Sequence, residues 1–300
     1  MNQRGFPKIS IVTACYNHAA FVSETIESVL SQNYPNLELI LIDDGSTDGS
    51  WEVIQRYRFG LAHCERLEGY RDTPTIALNQ GLKHSTGEIM MYLNSDDILL
   101  PKSLFVIAKI FQEHPEVEWL TGMATTINER SEIVNSKLRL KHVYDFLSGN
   151  WKVIQQESTC WRRSVWERAG GKLEGEKRWA FDTELWTRFF EQTEHYHAAT
   201  PIGAFRSGRQ SKSVSNLASF MEPNLFYLQR FRQRASARIK RAASIYKMMK
   251  ILRHLFSLIP HRVYGKLPFF SRFGYSVLEY SSSHDHWDER VINPFSRTYL

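Results

Sequence analysis

Two kinds of hydrophobic pattern alternate over the first 125 residues of the chain. Short apolar runs such as Ile9–Cys15, Leu37–Ile42 and Glu88–Leu93 are typical of buried β-strands. Between these runs the apolar residues recur at helical spacing, as they do in Phe21–Leu30 and Leu104–Phe111. Because strands and helices take turns along the chain, the sequence predicts an α/β fold with a mostly parallel central sheet flanked by helices.

Polar clusters follow three of the predicted strands at the point where each strand ends. They are Thr13–Asn17, Asp43–Asp48 and Asn94–Asp97. The carboxyl ends of parallel strands meet at one edge of a sheet, and ligands bind in the crevice outside that edge. The sequence therefore predicts one binding cleft that is built from these three loops.

The acidic residues in these clusters have two interpretations. Oxygen ligands after the strand that ends at Leu93 suit Mg²⁺ or Mn²⁺, which would hold a diphosphate. The same acids could instead cap the helices that follow. Capping needs only one carboxylate, however, and the adjacent Asp43 and Asp44 repel each other. This pair favours a partner such as the N–H groups of a nucleobase or a ribose hydroxyl.

Composition and cysteine usage exclude several classes of protein. Hydrophobic residues make up 42% and charged residues 23% of the 300, which is typical of a globular chain and not of a disordered one. The three cysteines form no CxxC pair, so we expect neither a disulfide framework nor a zinc knuckle. No apolar run is long enough to span a bilayer, and Ile9–Cys15 does not resemble a signal peptide. We therefore expect a cytoplasmic protein.

Charge is distributed unevenly along the chain. Residues 1–222 carry 24 basic and 28 acidic side chains, whereas Pro223–Leu278 carries 12 basic and no acidic ones. Basic and apolar residues interleave between Leu225 and Ile259, which indicates amphipathic helices. These helices could lie on an anionic membrane surface, or they could pack on the preceding domain with a solvated basic face. Nucleic-acid binding is not favoured, because no recognition motif accompanies the charge.

Five motifs together resemble the family 2 glycosyltransferases of the GT-A fold. They are Val12–His18, Ile42–Gly49, Ala77–Leu82, Thr86–Ile89, and Leu93–Asp97 with Pro101. Each motif is weak alone, but their order and spacing make the combined match specific. A looser similarity continues through residues 155–164 and 181–186 and ends near residue 215. The resemblance implies a Rossmann-like nucleotide-binding half, and a reaction that transfers a sugar from a nucleotide donor with inversion.

The resemblance also assigns roles to single residues. Asp44 would contact the base, Asp96 would bind a metal–diphosphate, and Asp182 would be the catalytic base that deprotonates the acceptor hydroxyl. Asp182 also precedes a helical pattern, so a helix N-cap is the alternative interpretation, and the two are compatible. The resemblance implies that seven residues line the nucleotide pocket: Thr13, Asn17, Asp43, Asp44, Asp72, Asn94 and Ser95.

The sequence departs from the family pattern at three places. Asn94 stands where the family has the first Asp of its Asp-x-Asp motif, and Tyr70–Pro74 replaces an Asp-x-Gly turn. The loop after Phe205 lacks the His that many relatives have there, so Arg206 or Arg209 is predicted to contact the diphosphate instead. Three further residues could face the acceptor or the sugar, although core packing is the favoured interpretation for the last of them: Gln156, Glu157 and Trp161.

The predicted protein is a metal-dependent inverting glycosyltransferase that uses Mn²⁺ or Mg²⁺. Its domains are expected to be a catalytic GT-A domain at 1–220 and a basic helical C-terminal extension at 221–300. The expected acceptor is a glycan or a lipid-linked glycan in cell-surface polysaccharide synthesis, at the inner face of the plasma membrane. The alternatives are a non-catalytic sugar-nucleotide-binding scaffold and a sugar nucleotidyltransferase. The second is disfavoured, because no Gly-rich, Arg-containing loop follows the first strand.

Overall fold

A single mixed sheet of eleven strands organises the described part of the chain. The computed structural model describes residues 5–69, 74–148, 153–175, 180–208, 217–252, 263, 266–267 and 272–295, with only the backbone at 217–220. The strands are β1 (Ile9–Cys15), β2 (Leu37–Asp43), β3 (His63–Arg66), β4 (Ile89–Tyr92), β5 (Ile98–Leu99), β6 (Trp119–Ile127), β7 (Ile133–Lys137), β8 (Thr159–Arg162), β9 (Tyr196–Arg206), β10 (Tyr275–Ser281) and β11 (His286–Ile292).

Helices cover both faces of this sheet. They are α1 (Val22–Leu30), α2 (Ser50–Arg56), α3 (Pro74–His84), α4 (Ser103–Glu113), α5 (Val143–Ser148), α6 (Arg163–Arg168), α7 (Phe181–Phe189), α8 (Leu217–Arg234) and α9 (Ala237–Ile251). The strands and helices that the sequence predicts before residue 117 are all present, with ends that differ by a few residues. The predicted α/β fold with a mostly parallel core is therefore confirmed.

The order of the strands divides the sheet into two halves. The order is β11-β10-β9-β6-β8-β4-β1-β2-β3, while β5 pairs with β9 and β7 pairs with β6. We call strands β3, β2, β1 and β4 the parallel half, because their pairings with one another are all parallel. The remaining strands form the mixed half, in which β8 runs antiparallel to both β4 and β6. The seam between the halves lies between β4 and β8.

Alternating side chains of the parallel strands form two separate cores. Ile11, Leu41 and Met91 pack on one face with α1 and α4. Val12 and Ile40 pack on the other face with α3, α7 and an aromatic cluster. This follows from the period of two along a strand, which sends successive side chains to opposite faces. The inner strands β1, β2 and β4 are covered on both faces, so they are nearly continuous apolar runs, whereas β3 is the partly exposed edge strand.

The C-terminal extension is only partly helical, and this corrects the expectation for residues 221–300. Helix α8 ends at Arg234 and helix α9 ends at Ile251. Strands β10 and β11 then form a hairpin that extends the main sheet. Strand β10 pairs in parallel with β9. The basic pattern of the region hides this, because the strand signal is a short apolar run starting at Tyr275. The domain boundary at residue 220 stays a prediction.

Helix α9 packs against the preceding part of the chain through a polar cluster. The hydroxyls of Tyr246 and Tyr275 lie 3.0 and 2.9 Å from carboxylate oxygens of Asp145, and Lys250 forms an ion pair with the same carboxylate. The buried face of the helix therefore contacts α5, as one of the two interpretations of the basic region predicts. Among the residues that the structure describes, no helix has the length and apolar character that crossing a bilayer requires.

Candidate functional site

The loops after β1 and β2 are joined by hydrogen bonds. The backbone N–H of Asn17 donates to Ser46 Oγ at 3.0 Å, and Asn17 Oδ1 accepts from the Thr47 N–H at 2.8 Å. Asp48 Oδ2 accepts from the Ala19 N–H at 2.9 Å. Asn17 has a φ of 55°, in the left-handed region that asparagine tolerates better than most residues. The two predicted clusters thus form one surface.

His18 connects these two loops to the loop after β4. Its N–H donates to Ser50 Oγ at 2.9 Å, and its ring Nδ1 lies 2.7 Å from Ser95 Oγ. The same Nδ1 is 4.0 Å from Asp96 Oδ1. All three polar clusters therefore lie side by side at the carboxyl edge of the parallel half, where the sequence predicts a cleft.

Buried polar atoms line the end of β2. Asp43 is fully buried, and its Oδ2 accepts from the Ser46 N–H at 3.1 Å and lies 3.3 Å from Arg66 Nε. Asp43 Oδ1 and the hydroxyl of the buried Thr13 have no hydrogen-bond partner among the described residues. Such atoms cost free energy unless they find a partner. A bound group with N–H or O–H donors would satisfy them.

Asp44 and its glycine neighbour fix the shape of this loop. The Asp44 N–H donates to Cys15 O at 2.8 Å, and its side chain is buried. Gly45 has a φ of +74°, and a Cβ there would lie 2.9 Å from the Cα of Gly69. The loop after β2 therefore touches the segment that leads to Asp72, which itself lies outside the described residues.

Asp97 ties the parallel half to the mixed half. Its side chain is fully buried and accepts from the Arg206 N–H at 2.8 Å and from Asn94 Nδ2 at 2.9 Å. Burial raises the pKa of Asp97 well above its usual value, and the charges of Glu157 and Asp96 raise it further. The sequence offers Asp97 only as part of a motif, and its connecting role follows from its position at the seam.

Glu157 reaches the same place from a short 3₁₀ helix, Gln156–Ser158, before β8. Gln156 donates to the backbone oxygen of Tyr92, and Gln155 donates to the Glu157 carboxylate. Burial raises the pKa of Glu157, and the charges of Asp96 and Asp182 add to this effect. The Glu157 carboxyl is therefore close enough for electrostatic interaction with both Asp96 and Asp182, which are 86 positions apart in the chain.

Asp182 lies in the first turn of α7 and not at its cap. The helix begins at Phe181 with Ala180 as the N-cap, so the N-cap interpretation of Asp182 is wrong. Burial raises the pKa of Asp182 to about 6, although the Thr183 N–H donates to its carboxylate at 2.6 Å. The Phe181 ring lies 6.0 Å from the ring of Tyr92, at the end of β4. Asp182 is thereby brought to the seam, beside the β4 loop.

Two predicted contact residues have other tasks in this structure. Trp161 is fully buried, with its ring centroid 5.9 Å from those of both Tyr92 and Trp186, so it belongs to the core and not to an acceptor face. Arg206 is also buried. Its Nε donates to the backbone oxygen of Asp96 at 2.7 Å, and another guanidinium nitrogen lies 2.7 Å from Glu24 Oε2.

The guanidinium of Arg206 therefore holds the Asp96 loop in place, and the structure does not favour the diphosphate contact that the sequence predicts for it. The sequence could not reveal this, because Glu24 lies 182 positions away. Arg209, the other candidate for that contact, lies outside the described residues.

The donor atoms around Asp96 fit a hard divalent cation. The Asp96 carboxylate is partly exposed, and Asn94, two residues earlier in the same loop, also offers an amide oxygen. Mg²⁺ and Mn²⁺ prefer carboxylate, carbonyl and water oxygens. The imidazole of His18 lies beside the Asp96 carboxylate, with its Nδ1 2.7 Å from Ser95 Oγ.

Solved structures of two glycosyltransferases share this fold. The first is S. aureus TarS, residues 1–349, in complex with UDP-GlcNAc; it superimposes with a TM-score of 0.64 at 17% identity, over 84% of this chain and 73% of that one. The second is the mannosyltransferase PcManGT from Pyrobaculum calidifontis with GDP-Man and Mn²⁺, at a TM-score of 0.51 and 17% identity, over 83% and 81%. At these identities the likeness shows the GT-A fold alone.

Sequence comparison identifies the family. A poly-β-1,6-N-acetyl-D-glucosamine synthase of Staphylococcus epidermidis is 33% identical over 127 residues, 41% of this chain and 30% of that protein. The chain spans from 30% to 68% of the length of the first curated relatives that it matches. The model of glycosyl transferase family 2 matches residues 10–212, about two thirds of the chain. The resemblance carried by the five motifs is therefore confirmed, and the chain belongs to glycosyl transferase family 2.

Proposed function

We propose that this protein transfers a sugar, with inversion, from a nucleotide-sugar donor to a hydroxyl of a glycan or lipid-linked acceptor in cell-surface polysaccharide synthesis. One observation carries the proposal: the segments that bear Asp96, Glu157 and Asp182 meet at the end of β4, where Gln156 donates to the Tyr92 backbone oxygen and the Phe181 ring lies 6.0 Å from the Tyr92 ring. The name of the Staphylococcus epidermidis relative, a polysaccharide synthase, supports the acceptor class.

The nucleotide would occupy the loops after β1 and β2. Asp44 contacts the base, with Asp43 and Thr13 beside it. The unpartnered Asp43 Oδ1 and Thr13 Oγ1 support this, because a nucleoside carries N–H and O–H donors. TarS with UDP-GlcNAc and PcManGT with GDP-Man support a nucleotide-sugar ligand for this fold.

Asp96, together with Asn94, would hold Mn²⁺ or Mg²⁺. When bound there, the cation neutralises the negative charge that develops on the departing nucleoside diphosphate. Arg206 contributes indirectly, because its hydrogen bond to the Asp96 backbone fixes the loop that carries the carboxylate. Asp97 secures the same loop through Asn94 and the Arg206 N–H.

Asp182 would act as the general base. Its raised pKa of about 6 makes it ionised at neutral pH and yet more basic than an ordinary aspartate. It removes the proton from the acceptor hydroxyl as that oxygen attacks the anomeric carbon, on the face opposite the leaving diphosphate, which inverts the configuration. The raised pKa of Glu157 favours its protonated form, which limits the negative charge beside Asp182.

A donor screen tests the enzymatic proposal. UDP-, GDP- and dTDP-sugars would be incubated with the protein and Mn²⁺, and the release of nucleoside diphosphate measured. We expect release from one nucleotide class, loss of release in EDTA, and loss in Asp96→Asn but not in Asp285→Asn on the distant, exposed β10–β11 turn. The proposal fails if no donor is cleaved and no free nucleotide raises the melting temperature.

Membrane association is the second part of the proposal, and the exposed face of α9 supports it. Basic side chains of this helix point to solvent: Arg238, Lys240, Arg241 and Lys247. Apolar side chains accompany them, with Met248 54% and Ile251 73% exposed. Each cation near an anionic leaflet contributes about 1 kcal/mol, and the apolar groups add burial. We propose that this face lies on the inner surface of the plasma membrane, close to a lipid-linked acceptor.

Sedimentation with vesicles tests this part. We expect the protein to pellet at low salt with vesicles that contain phosphatidylglycerol and to be released by high salt. It should not pellet with vesicles of pure phosphatidylcholine. The double variant Arg238→Glu, Lys247→Glu should stay in the supernatant. The control Arg58→Glu, Lys172→Glu carries the same charge change elsewhere and should still pellet. Equal binding by both variants would contradict the role of α9.

A further inference from the structure

Three side chains with transition-metal ligand atoms cluster at the edge of the sheet, away from the candidate site. His63 and Glu65 lie on β3, and His84 is the last residue of α3. Glu65 Oε2 is 3.3 Å from His63 Nε2 and 3.8 Å from His84 Nε2. One ligand atom from each of the three residues lies within 4.8 Å of the others.

The backbone geometry explains why these side chains meet. Residues two apart on a strand point to the same face, so His63 and Glu65 both face the last turn of α3. The carboxyl end of a helix favours a cation, which suits His84 as a ligand residue. The two imidazole rings are stacked, with centroids 3.8 Å apart and planes at 19°. Both rings therefore present an edge nitrogen to the same carboxylate.

A fourth residue supports the carboxylate. Gln80 lies one turn before His84 on α3, and its Nε2 donates to Glu65 Oε2 at 3.1 Å. This hydrogen bond orients the carboxylate as outer groups do in known metal sites. The three ligand side chains are 33% to 40% exposed, so an ion can reach them and water can complete its coordination.

The donor set distinguishes this cluster from the oxygen atoms around Asp96. Two imidazole nitrogens and one carboxylate suit Zn²⁺, which also accepts three protein ligands with water in the fourth position. Ligand bonds of about 2.0–2.2 Å place the ligand atoms about 3.3 Å apart. The separations of the two Nε2 atoms from Glu65 Oε2, 3.3 and 3.8 Å, lie near this spacing, and the rings must turn out of their stack for both nitrogens to face one ion.

We propose that His63, Glu65 and His84 form a Zn²⁺ site that joins β3 to α3, separate from the nucleotide and acceptor site. The segment between the two elements includes Gly69, whose backbone touches Gly45 in the loop after β2. A metal ion that holds β3 against α3 would therefore also stabilise the loop beside Asp43 and Asp44.

Calorimetric titration with ZnCl₂ tests the proposal on tag-free, chelator-treated protein. We expect about one equivalent of Zn²⁺ to bind, a higher melting temperature in ZnCl₂, and a visible absorption band when CoCl₂ replaces it. His63→Gln and His84→Gln should each lower the affinity at least tenfold. The control His286→Gln removes an exposed histidine that lies 3.2 Å from Glu113, and it should leave the titration unchanged.

Two results would overturn the proposal. One is the absence of saturable Zn²⁺ binding by the wild-type protein, and the other is unchanged binding by His84→Gln. Circular dichroism checks that the variants are folded, and Glu65→Gln is a third ligand variant if one of them is not. The test uses no transferase activity, so its outcome is independent of the proposed reaction.

Discussion

Glu38 in the parallel half and Asp182 at the seam are carboxylates held in opposite ways. In the parallel half, burial opposes the ionisation of Glu38, but hydrogen bonds from Lys8, Ser10 and Thr86 outweigh it and lower the pKa of Glu38 to about 2. At the seam, burial outweighs the hydrogen bonds and raises the pKa of Asp182 to about 6. The ionised carboxylate of Glu38 stabilises the fold, whereas the ionised carboxylate of Asp182 destabilises it.

Under the proposed function, this difference separates an acid that stabilises the fold from acids that serve the reaction. Groups with strongly raised pKa values concentrate at functional sites, because a reactive carboxylate must stay basic. Glu157, Asp97 and Asp182 share this property, and all three meet at the seam. Removing the charge of Asp182 should therefore stabilise the fold, whereas removing the charge of Glu38 should destabilise it.

The largest expected effect follows from Asp182→Asn. We expect turnover to fall by about 10³, because a general base contributes 10²–10⁴. The affinity for the donor nucleotide should not change. The pKa of Asp182 in the folded protein lies above the ordinary 3.8. Ionisation of Asp182 therefore lowers the free energy of unfolding as the pH rises towards about 6 and above. The variant should thus be more stable at pH 7.5, by about 2 kcal/mol after allowance for partial exposure. Initial rates, nucleotide titration and urea denaturation measure the three quantities.

The pH dependence gives an independent check on Asp182. The wild-type rate should rise with pH through about 6, as the base loses its proton, while the stability gain of Asp182→Asn should vanish near pH 4. A non-catalytic scaffold would keep its function in this variant. A loss of stability instead of a gain would show that the carboxylate is structural.

The parallel half could be predicted from the sequence because its signals are local. Apolar runs mark β1, β2 and β4, and the polar loops follow directly, so the rule for parallel sheets brings them together. His18 illustrates the limit of this reasoning. Its contact with Ser95, 77 positions away, is visible only in the structure.

The mixed half gave weaker signals for physical reasons. Strands β5 and β8 have two and four residues, too short for a periodic pattern, and β6 and β9 pair with shifts in register. An aromatic side chain has the same pattern in the sequence whether it packs in a core or faces a ligand, and for Trp161 the structure shows the core packing that the sequence analysis favours. Strands β10 and β11 were missed because a basic helical stretch precedes them.

A second prediction compares glycines in the two halves. A Cβ at Gly203, in the mixed half, would lie 2.0 Å from the backbone oxygen of Glu157. A Cβ at Gly81, in α3, would meet the side chain of Val12 at 2.4 Å. Backbone cannot move aside as a methyl group can, so we expect Gly203→Ala to lose about 3 kcal/mol and Gly81→Ala about 1 kcal/mol or less.

Urea denaturation measures both glycine variants, with Gly5→Ala as a control because nothing lies within 4 Å of its Cβ position. Gly203→Ala should also lower turnover, since it displaces Glu157 from the acids at the seam. Equal losses of stability for the two variants would mean that the seam is no more tightly packed than the rest of the sheet.

The last prediction concerns the structural side of the comparison, Glu38 in the parallel half. Glu38→Gln removes the charge of a carboxylate that accepts hydrogen bonds from the Thr86 N–H at 2.6 Å and from the Ser10 hydroxyl at 2.5 Å. We expect a loss of about 2 kcal/mol at pH 7, because the folded pKa of about 2 lies below the ordinary 4.5.

The pH dependence of this loss separates Glu38 from the acids at the seam. A lowered folded pKa contributes stability above pH 4.5 that disappears as pH falls towards 2, so the difference between Glu38→Gln and wild type should shrink in that range. Urea denaturation between pH 7 and pH 3.5 measures it, with Glu279→Gln, which removes one partner of an exposed ion pair, as a control that should change stability little. A stabilising effect of Glu38→Gln at pH 7 would contradict the contrast with Asp182, because ionisation would then destabilise the fold at both positions.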